Sequence, residues 1–220
     1  MLFPTEFTID TSLIEQLTNV STQDMKTVIN EPTGNFFYDP WVIKKEYAGT
    51  VWAELLKPLP NIGEARIIEL QPGQCYQSHA DIDDRYHLNI RGEKCYLIDL
   101  EFDKTYKLYP DGIWYEMEAG RLHSAANFGR YSRTQLVVRK LLLRGSFKNP
   151  INIRLTPTIT NKDDARFIFD NTVSSVLNSL NKLQVIDNFS FDSFITITIE
   201  NDMIEPLKNK LPPECKLEIL

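Results

Sequence analysis

Between Glu64 and Arg144 the sequence breaks into short runs rich in β-branched and aromatic residues: "EARIIEL", "CYQSH", "YHLNI", "KCYLIDL", "KTYKLY", "GIWYEM", "RLHSAAN" and "RTQLVVRKLLL". Turn-forming residues separate them, at Pro72-Gly73, Arg91-Gly92 and Pro110-Asp111-Gly112, the last an Asp-Gly signal for a hairpin between the runs on either side. About eight strands at this spacing predict a mainly β fold. Two sheets closing around a pocket would make it a double-stranded β-helix, a jelly roll of the cupin kind.

The flanks have a different texture. Upstream, "DTSLIEQLTNV" predicts a helix with Asp10 or Thr11 as cap and Leu13, Ile14 and Leu17 on one face. A second helix is predicted over "KKEYAGTVWAELLKPLP", stopped by Pro58 and Pro60. Downstream of "GSFKNP" comes a strand, "INIRLTPTI", and then a long amphipathic helix. Val173, Val176, Leu177, Leu180 and Leu183 repeat at helical spacing there, with Asn161 or Asp163 as cap. "SFITITIEN", "MIEPLKNKL" and "CKLEIL" complete a β-α-β-α-β pattern. The expected organisation is a jelly-roll domain over 1–148, with N-terminal helical elements, and a small α/β module over 149–220. No histidine lies beyond His123, so the module is expected to supply no metal ligand.

The chemistry concentrates in "SHADIDDRYHLNI", which holds two of the three histidines. His79 and Asp81 are two residues apart beside a strand-like run, so both side chains can point to one face. A third ligand from a distant strand would complete two imidazoles and a carboxylate on one face of an octahedral metal. Such a facial triad leaves positions open for co-substrate and oxygen. His123, 44 residues on in a late strand, suits that role. Asp83 and Asp84 fit the spacing less well and read as a solvated loop. Ten positions past His123, Arg133 opens an apolar strand, where a guanidinium can pair bidentately with a carboxylate such as the distal one of 2-oxoglutarate.

"LQPGQCYQSHADIDDRYHLNI" followed by "GRLHSAANFGRYSRTQLVV" resembles the aspartyl/asparaginyl β-hydroxylase family of 2-oxoglutarate and Fe(II)-dependent dioxygenases. The shared pattern is Pro-Gly, His-x-Asp, Arg-x-His, then a distal His, an Asn and an Arg, over roughly 64–143. The resemblance implies that His79, Asp81 and His123 are the catalytic iron ligands and that Arg133 anchors the distal carboxylate of 2-oxoglutarate. It places Arg85 and His87 beside that co-substrate. It also implies that O2 is consumed, succinate and carbon dioxide are released, and a side chain of a peptide, protein or amino acid is hydroxylated, with Asp, Asn or Pro leading. One departure is the strand before Pro-Gly, "ARIIELQPG", which lacks the serine that family members can use to contact the co-substrate. Ser124 and Asn127 flank the distal histidine, where they either orient it or make strand-end hydrogen bonds. Trp41, Trp52 and Trp114 read as packing residues.

Two rival classes remain on sequence alone. A cupin-type metal protein without 2-oxoglutarate chemistry would keep the histidines and have no need of Arg133, and a binding module on a jelly-roll scaffold would need neither. The net charge of −6 argues against nucleic acid as a partner, because a phosphate-backbone binder needs a basic face. The absence of a long apolar run argues against a membrane span, so a cytoplasmic protein is expected. Cys75, Cys95 and Cys215, odd in number and without C-x-x-C spacing, are expected to be reduced thiols, two of them in the core.

Overall fold

Backbone alternation sets the architecture, as a computed structural model describing residues 1–17, 26–159, 161–180, 183–190 and 193–220 shows. The N-terminal part contains β1 (Leu2–Thr8), α1 (Thr11–Leu17), β2 (Lys26–Val28), β3 (Asn30–Pro32), β4 (Trp41–Ile43) and α2 (Val51–Leu56). α1 begins where Asp10 Oδ1 accepts the Ser12 N–H at 2.9 Å, and it buries Ile14 and Leu17. The remainder of that predicted helix, 18–20, lies outside the described residues. The second predicted helix is instead two pieces, a 3-10 turn at Lys45–Tyr47 and α2. Between them Gly49 takes φ 76°, a left-handed conformation that ends a helix rather than continuing it.

Seven strands follow: β5 (Ile62–Leu70), β6 (Arg85–Arg91), β7 (Cys95–Asp99), β8 (Lys104–Leu108), β9 (Ile113–Met117), β10 (His123–Asn127) and β11 (Arg133–Lys140). The predicted run "CYQSH" is not a regular strand; within it Cys75 makes an isolated antiparallel bridge to Ala126. One sheet has the order β1-β9-β6-β11-β5-β2, a second has β10-β7-β8, and β3 pairs with β4. Every pairing between these strands is antiparallel.

The expected Asp-Gly hairpin is not formed. β8 pairs with β7 and β9 pairs with β1 and β6, so the turn at 110–112 carries the chain from one sheet to the other. Its Gly112 carbonyl accepts the Ile9 N–H at 2.7 Å, and a Cβ on Gly112 would sit 2.5 Å from the Ile9 carbonyl oxygen. The turn thus pairs with the end of β1, a strand absent from the sequence expectation.

Alternation gives the six-stranded sheet two unlike faces. Ala65, Ile67, Tyr86, Leu88, Ile90, Leu136 and Val138 bury on one of them with Trp52 and Leu55 of α2, Ile14 of α1 and Trp114. The registers Arg139 to Arg85, Val137 to His87 and Gln135 to Asn89 place a largely polar set on the opposite face. Buried as it is, that face must satisfy its charges internally or with a ligand. Trp41, Trp52 and Trp114 are all buried, as packing residues should be.

The C-terminal part contains β12 (Pro150–Pro157), α3 (Lys162–Ile168), a π-helical turn at Phe169–Val173, α4 (Ser174–Ser179), β13 (Gln184–Ser190), β14 (Phe194–Glu200), α5 (Ile204–Lys208) and β15 (Cys215–Ile219). The sheet order is β13-β14-β12-β15, all antiparallel. With β13 present, the pattern becomes β-α-β-β-α-β, the ferredoxin-like arrangement, rather than β-α-β-α-β. Asn161 caps α3, its Oδ1 accepting the N–H groups of Asp163 and Asp164.

The buried stripe on this helix is Ala165, Phe169, Val173 and Leu177, an unbroken spacing of four. In a 3.6-residue helix that spacing drifts about 40° per step, and the wider π turn offsets the drift. Leu183, assigned to the apolar face from sequence, lies beyond the helix and is 48% exposed.

Residue proximity divides the chain into one unit of Met1–Gln77, Asp83–Ala119 and His123–Leu141, and another of Ser78–Ile82, Gly120–Leu122 and Leu142–Leu220. The three cysteines are free, but only Cys95 is buried; Cys215 is half-buried and Cys75 exposed, so the core takes one thiol rather than two. No helix among the described residues is long and apolar enough to cross a membrane.

Candidate metal centre

His123 is the first residue of β10, opposite Asp99 of β7. Along the other edge of β10 runs the segment before the His-x-Asp motif. Beyond the Cys75 to Ala126 bridge, the Tyr76 N–H donates to the Ala125 carbonyl at 2.9 Å and Ser124 Oγ donates to the Tyr76 carbonyl at 2.6 Å.

His79, Asp81 and His123 each present a ligand-type atom, and these atoms all lie within 4.8 Å of one another. His123 is 4% exposed, whereas His79 and Asp81 are half-buried. Two imidazole nitrogens and one carboxylate oxygen, with no thiolate, fit a divalent first-row metal of the Fe(II) type better than a soft, sulfur-seeking ion. Three protein ligands also leave coordination positions over for small molecules.

Arg133 opens β11 and is 2% exposed. Its guanidinium carbon lies 5.5 Å from the centre of the Tyr76 ring. Nε and Nη1 of Arg133, and the Tyr76 hydroxyl, have no hydrogen-bond partner among the described residues. Burial lowers the pKa of the guanidinium and raises that of the phenol, each partly opposed by the other group. A buried cation with unused donors is costly unless an anion arrives to accept from it.

Space for Arg133 comes from Gly92, at φ 144°, where a Cβ would meet Cys95 Sγ at 2.6 Å and Arg133 Cγ at 3.3 Å. Asn127 fixes the approach to β11. Its Nδ2 donates to the Leu70 and Tyr131 carbonyls at 2.9 and 2.8 Å, and its Oδ1 accepts the Gly129 N–H at 2.9 Å. Asn127 and Ser124 therefore make strand-end hydrogen bonds, the second of the two roles open from sequence.

Arg85 and His87 lie on the polar face of β6. Arg85 is bound into a buried ion cluster, with Nη2 at 2.9 Å from Asp83 Oδ1 and Nε donating to the Asp83 carbonyl at 3.3 Å. Arg139 Nε pairs with Asp83 Oδ2 on the other side, and its guanidinium carbon stands 4.1 Å from the centre of the Phe36 ring. Burial pushes the Arg139 guanidinium down to about 10 against the pull of Asp83.

Asp83, read from sequence as part of a solvated loop, is 1% exposed and bridges two arginines. The reason is electrostatic, since two buried guanidinium groups on one sheet face require a shared anion. Asp84, also assigned to solvent, accepts the Ala119 N–H through Oδ1 at 3.1 Å. The place of Tyr76 beside Arg133 and the burial of Asp83 are not what spacing along the sequence predicts. The available signal was the alternation of Arg, His, Asn and Arg in "RYHLNIR", which marks a strand whose second face is buried and polar.

No family model matches the chain, and no curated protein matches it in sequence. Among solved structures it is similar to a conserved Streptococcus pyogenes protein of unknown function, with 19% identity, 40% of this chain and 83% of that one covered, and a TM-score of 0.30. It is also similar to a Pseudomonas putida prolyl-4-hydroxylase, at 11% identity, 63% and 90% coverage and a TM-score of 0.38. A third is the capsular polysaccharide assembling protein CapF of Staphylococcus aureus, at 12% identity, 52% and 31% coverage and a TM-score of 0.31.

Proposed function

We propose that the chain is an Fe(II) and 2-oxoglutarate-dependent dioxygenase of the aspartyl/asparaginyl β-hydroxylase type, acting on a side chain of a peptide, protein or amino acid. The observation that carries this reading is Arg133, a buried guanidinium with unused donors, in a chain that also gathers His79, Asp81 and His123. A metal protein that uses no keto acid has no need of that buried cation, and neither does a bare scaffold.

Strand order supports the same reading. β5, β11, β6 and β9 are neighbours in one sheet, while the 75–76 segment, β10, β7 and β8 are neighbours in the other. Apart from β7 and β8, which pair with each other, consecutive runs therefore alternate between the two groups, as the strands of a jelly roll do.

In this reading His79, Asp81 and His123 hold Fe(II) and leave positions open for the keto acid and O2. Arg133 takes the distal carboxylate through its paired N–H groups, with Tyr76 beside it as a further donor. Arg85 and His87, on the same sheet face, line the approach to the co-substrate. The iron, when bound, supplies the activation of O2 that couples decarboxylation of the keto acid to hydroxylation. The chain's residues fix the reactants and keep water out. Asp, Asn or Pro side chains are the leading substrates, nucleic acid and membrane are not partners, and free thiols suit work in the reducing cytoplasm. In this reading the 149–220 segment is a module that supplies no metal ligand of its own.

The test is anaerobic calorimetry of 2-oxoglutarate into Mn(II)-loaded protein, followed by succinate release with Fe(II) in air. Saturable binding that depends on the metal, with succinate formed, is expected. Metal binding without 2-oxoglutarate binding would return the chain to the cupin-type metal proteins.

A further inference from the structure

The helix of the C-terminal segment contains a departure from regular hydrogen bonding whose effect falls on the His79–Asp81 turn. At the end of the π turn, the Ser174 N–H donates to the Phe169 carbonyl, five residues back. In an uninterrupted α-helix it would donate to Asp170. The Asp170 carbonyl accepts instead from the backbone N–H of Ala80, the residue between His79 and Asp81. One residue along, the Asn171 side chain works in both directions. Its Nδ2 donates to the Phe167 carbonyl at 2.9 Å and its Oδ1 accepts from Ser78 Oγ at 3.3 Å.

The geometry points to the π turn, through the Asp170 carbonyl and the Asn171 side chain, as the positioning device for the turn that presents His79 and Asp81 to the metal. This inference rests on the metal-site reading above and extends it to residues 90 positions away in sequence that touch no metal. The chemical logic is direct. Ligands two residues apart on an irregular segment keep their relative aim only if the peptide between them is held. Ala80 is 2% exposed, so its amide could not turn to water without an opening of the structure. A helix interior normally offers no free carbonyl, and the π turn creates one at Asp170. Ser78 and Ala80 thus bracket His79 with two hydrogen bonds to consecutive residues of one helix. The C-terminal segment contributes no ligand and still sets how well the ligands are aimed.

The experiment uses the full chain and Co(II), a spectroscopically visible probe of the Fe(II) site. Dissociation constants and the visible absorption band are measured for the unaltered protein and for Ser78→Ala, Ser78→Thr and Asn171→Ala, after thermal melts confirm folding. Exchange of the Ala80 amide with deuterated water is followed in the same proteins. Loss of an outer partner of this kind weakens metal binding by about 10- to 100-fold. Ser78→Ala and Asn171→Ala should fall in that range, show an altered Co(II) band and exchange Ala80 faster. Ser78→Thr, which keeps the hydroxyl, should restore affinity.

Unaltered Co(II) affinity and band in both alanine variants would overturn the inference while leaving the metal site standing. Failure of the unaltered chain to bind Co(II) would overturn the metal-site reading and this inference with it. Should a variant not fold, Ala80 exchange in the unaltered chain decides. Protection matching that of buried strand amides is the expected result, and rapid exchange is the overturning one.

Discussion

Arg133, at the start of β11, lies over the ring of Tyr76, guanidinium carbon 5.5 Å from ring centre, and both carry buried polar atoms without a partner among the described residues. Two adjacent groups, each with hydrogen-bonding capacity to spare, would offer donors to an anionic acceptor in the proposed function. Arg133→Lys retains the charge but loses the planar fork. Its affinity for 2-oxoglutarate should fall about tenfold or more, equivalent to about 1.4 kcal/mol, with metal affinity unchanged. Calorimetry on Mn(II)-loaded protein measures both. An unchanged constant for 2-oxoglutarate would remove Arg133 from this role.

Replacing a metal ligand should have a larger and different effect. His79→Ala and His123→Ala each delete one of three donor groups gathered within 4.8 Å. Metal affinity should drop by more than the roughly 100-fold that marks the upper range for losing an outer partner. Succinate production should vanish, while the melting temperature without metal shifts little for His79, which is half-buried. Normal turnover of 2-oxoglutarate by either variant would show the triad to be misassigned.

Acid should act through Glu64. Burial on its own would raise this carboxyl, but the hydrogen bond and charge of Arg66, with Lys26 and Arg139, hold it below its ordinary 4.5. A folded pKa below the unfolded one contributes stability that is complete above about 4.5 and is lost as pH falls through the folded value. In urea titrations the unaltered protein should exceed Glu64→Gln in stability at pH 7, with the gap closing below pH 4.5. A gap independent of pH would mean that Glu64 acts through packing rather than charge.

The thiols should separate by reactivity. Burial raises the pKa of Cys95, and it raises that of Cys215 to about 11, so neither holds much thiolate near pH 8. Cys75 is exposed. Alkylation of the native chain, read by peptide mass, should modify Cys75 first and reach Cys95 and Cys215 only on raising the pH or unfolding. Early modification of Cys95 would contradict the packing around Gly92.

The central strands were legible because each is bounded by turn residues and most alternate strongly. The segments missed have weaker signals for identifiable reasons. β1 contains Pro4 and lies at a sheet edge, and β13 loses its alternation at Asp187 and Asn188, where its register with β14 slips. The Asp-Gly turn is locally a hairpin signal, yet its partner is Ile9, 103 residues upstream of Gly112, and no local rule sees that far. His79, Asp81, His123 and Arg133 stood out as an ordered set and through the family resemblance, since a His-x-Asp alone arises readily by chance. Tyr76, Asp83 and Asn171 did not, because a buried ion partner or a helix bonding pattern depends on what the fold brings alongside.

Outer strands also govern how the molecule behaves among its own copies. Among the described residues β8 has a neighbour on one side only, which leaves a row of backbone donors and acceptors available to an extended chain. Lys104 and Lys107 are exposed on that strand, and β13, at the rim of the C-terminal sheet, is interrupted by a register slip between Ile186 and Asn188. An approaching copy of β8 would set lysine against lysine, and one of β13 would meet a kinked rail. Both devices disfavour edge-to-edge pairing of these two strands with a second copy.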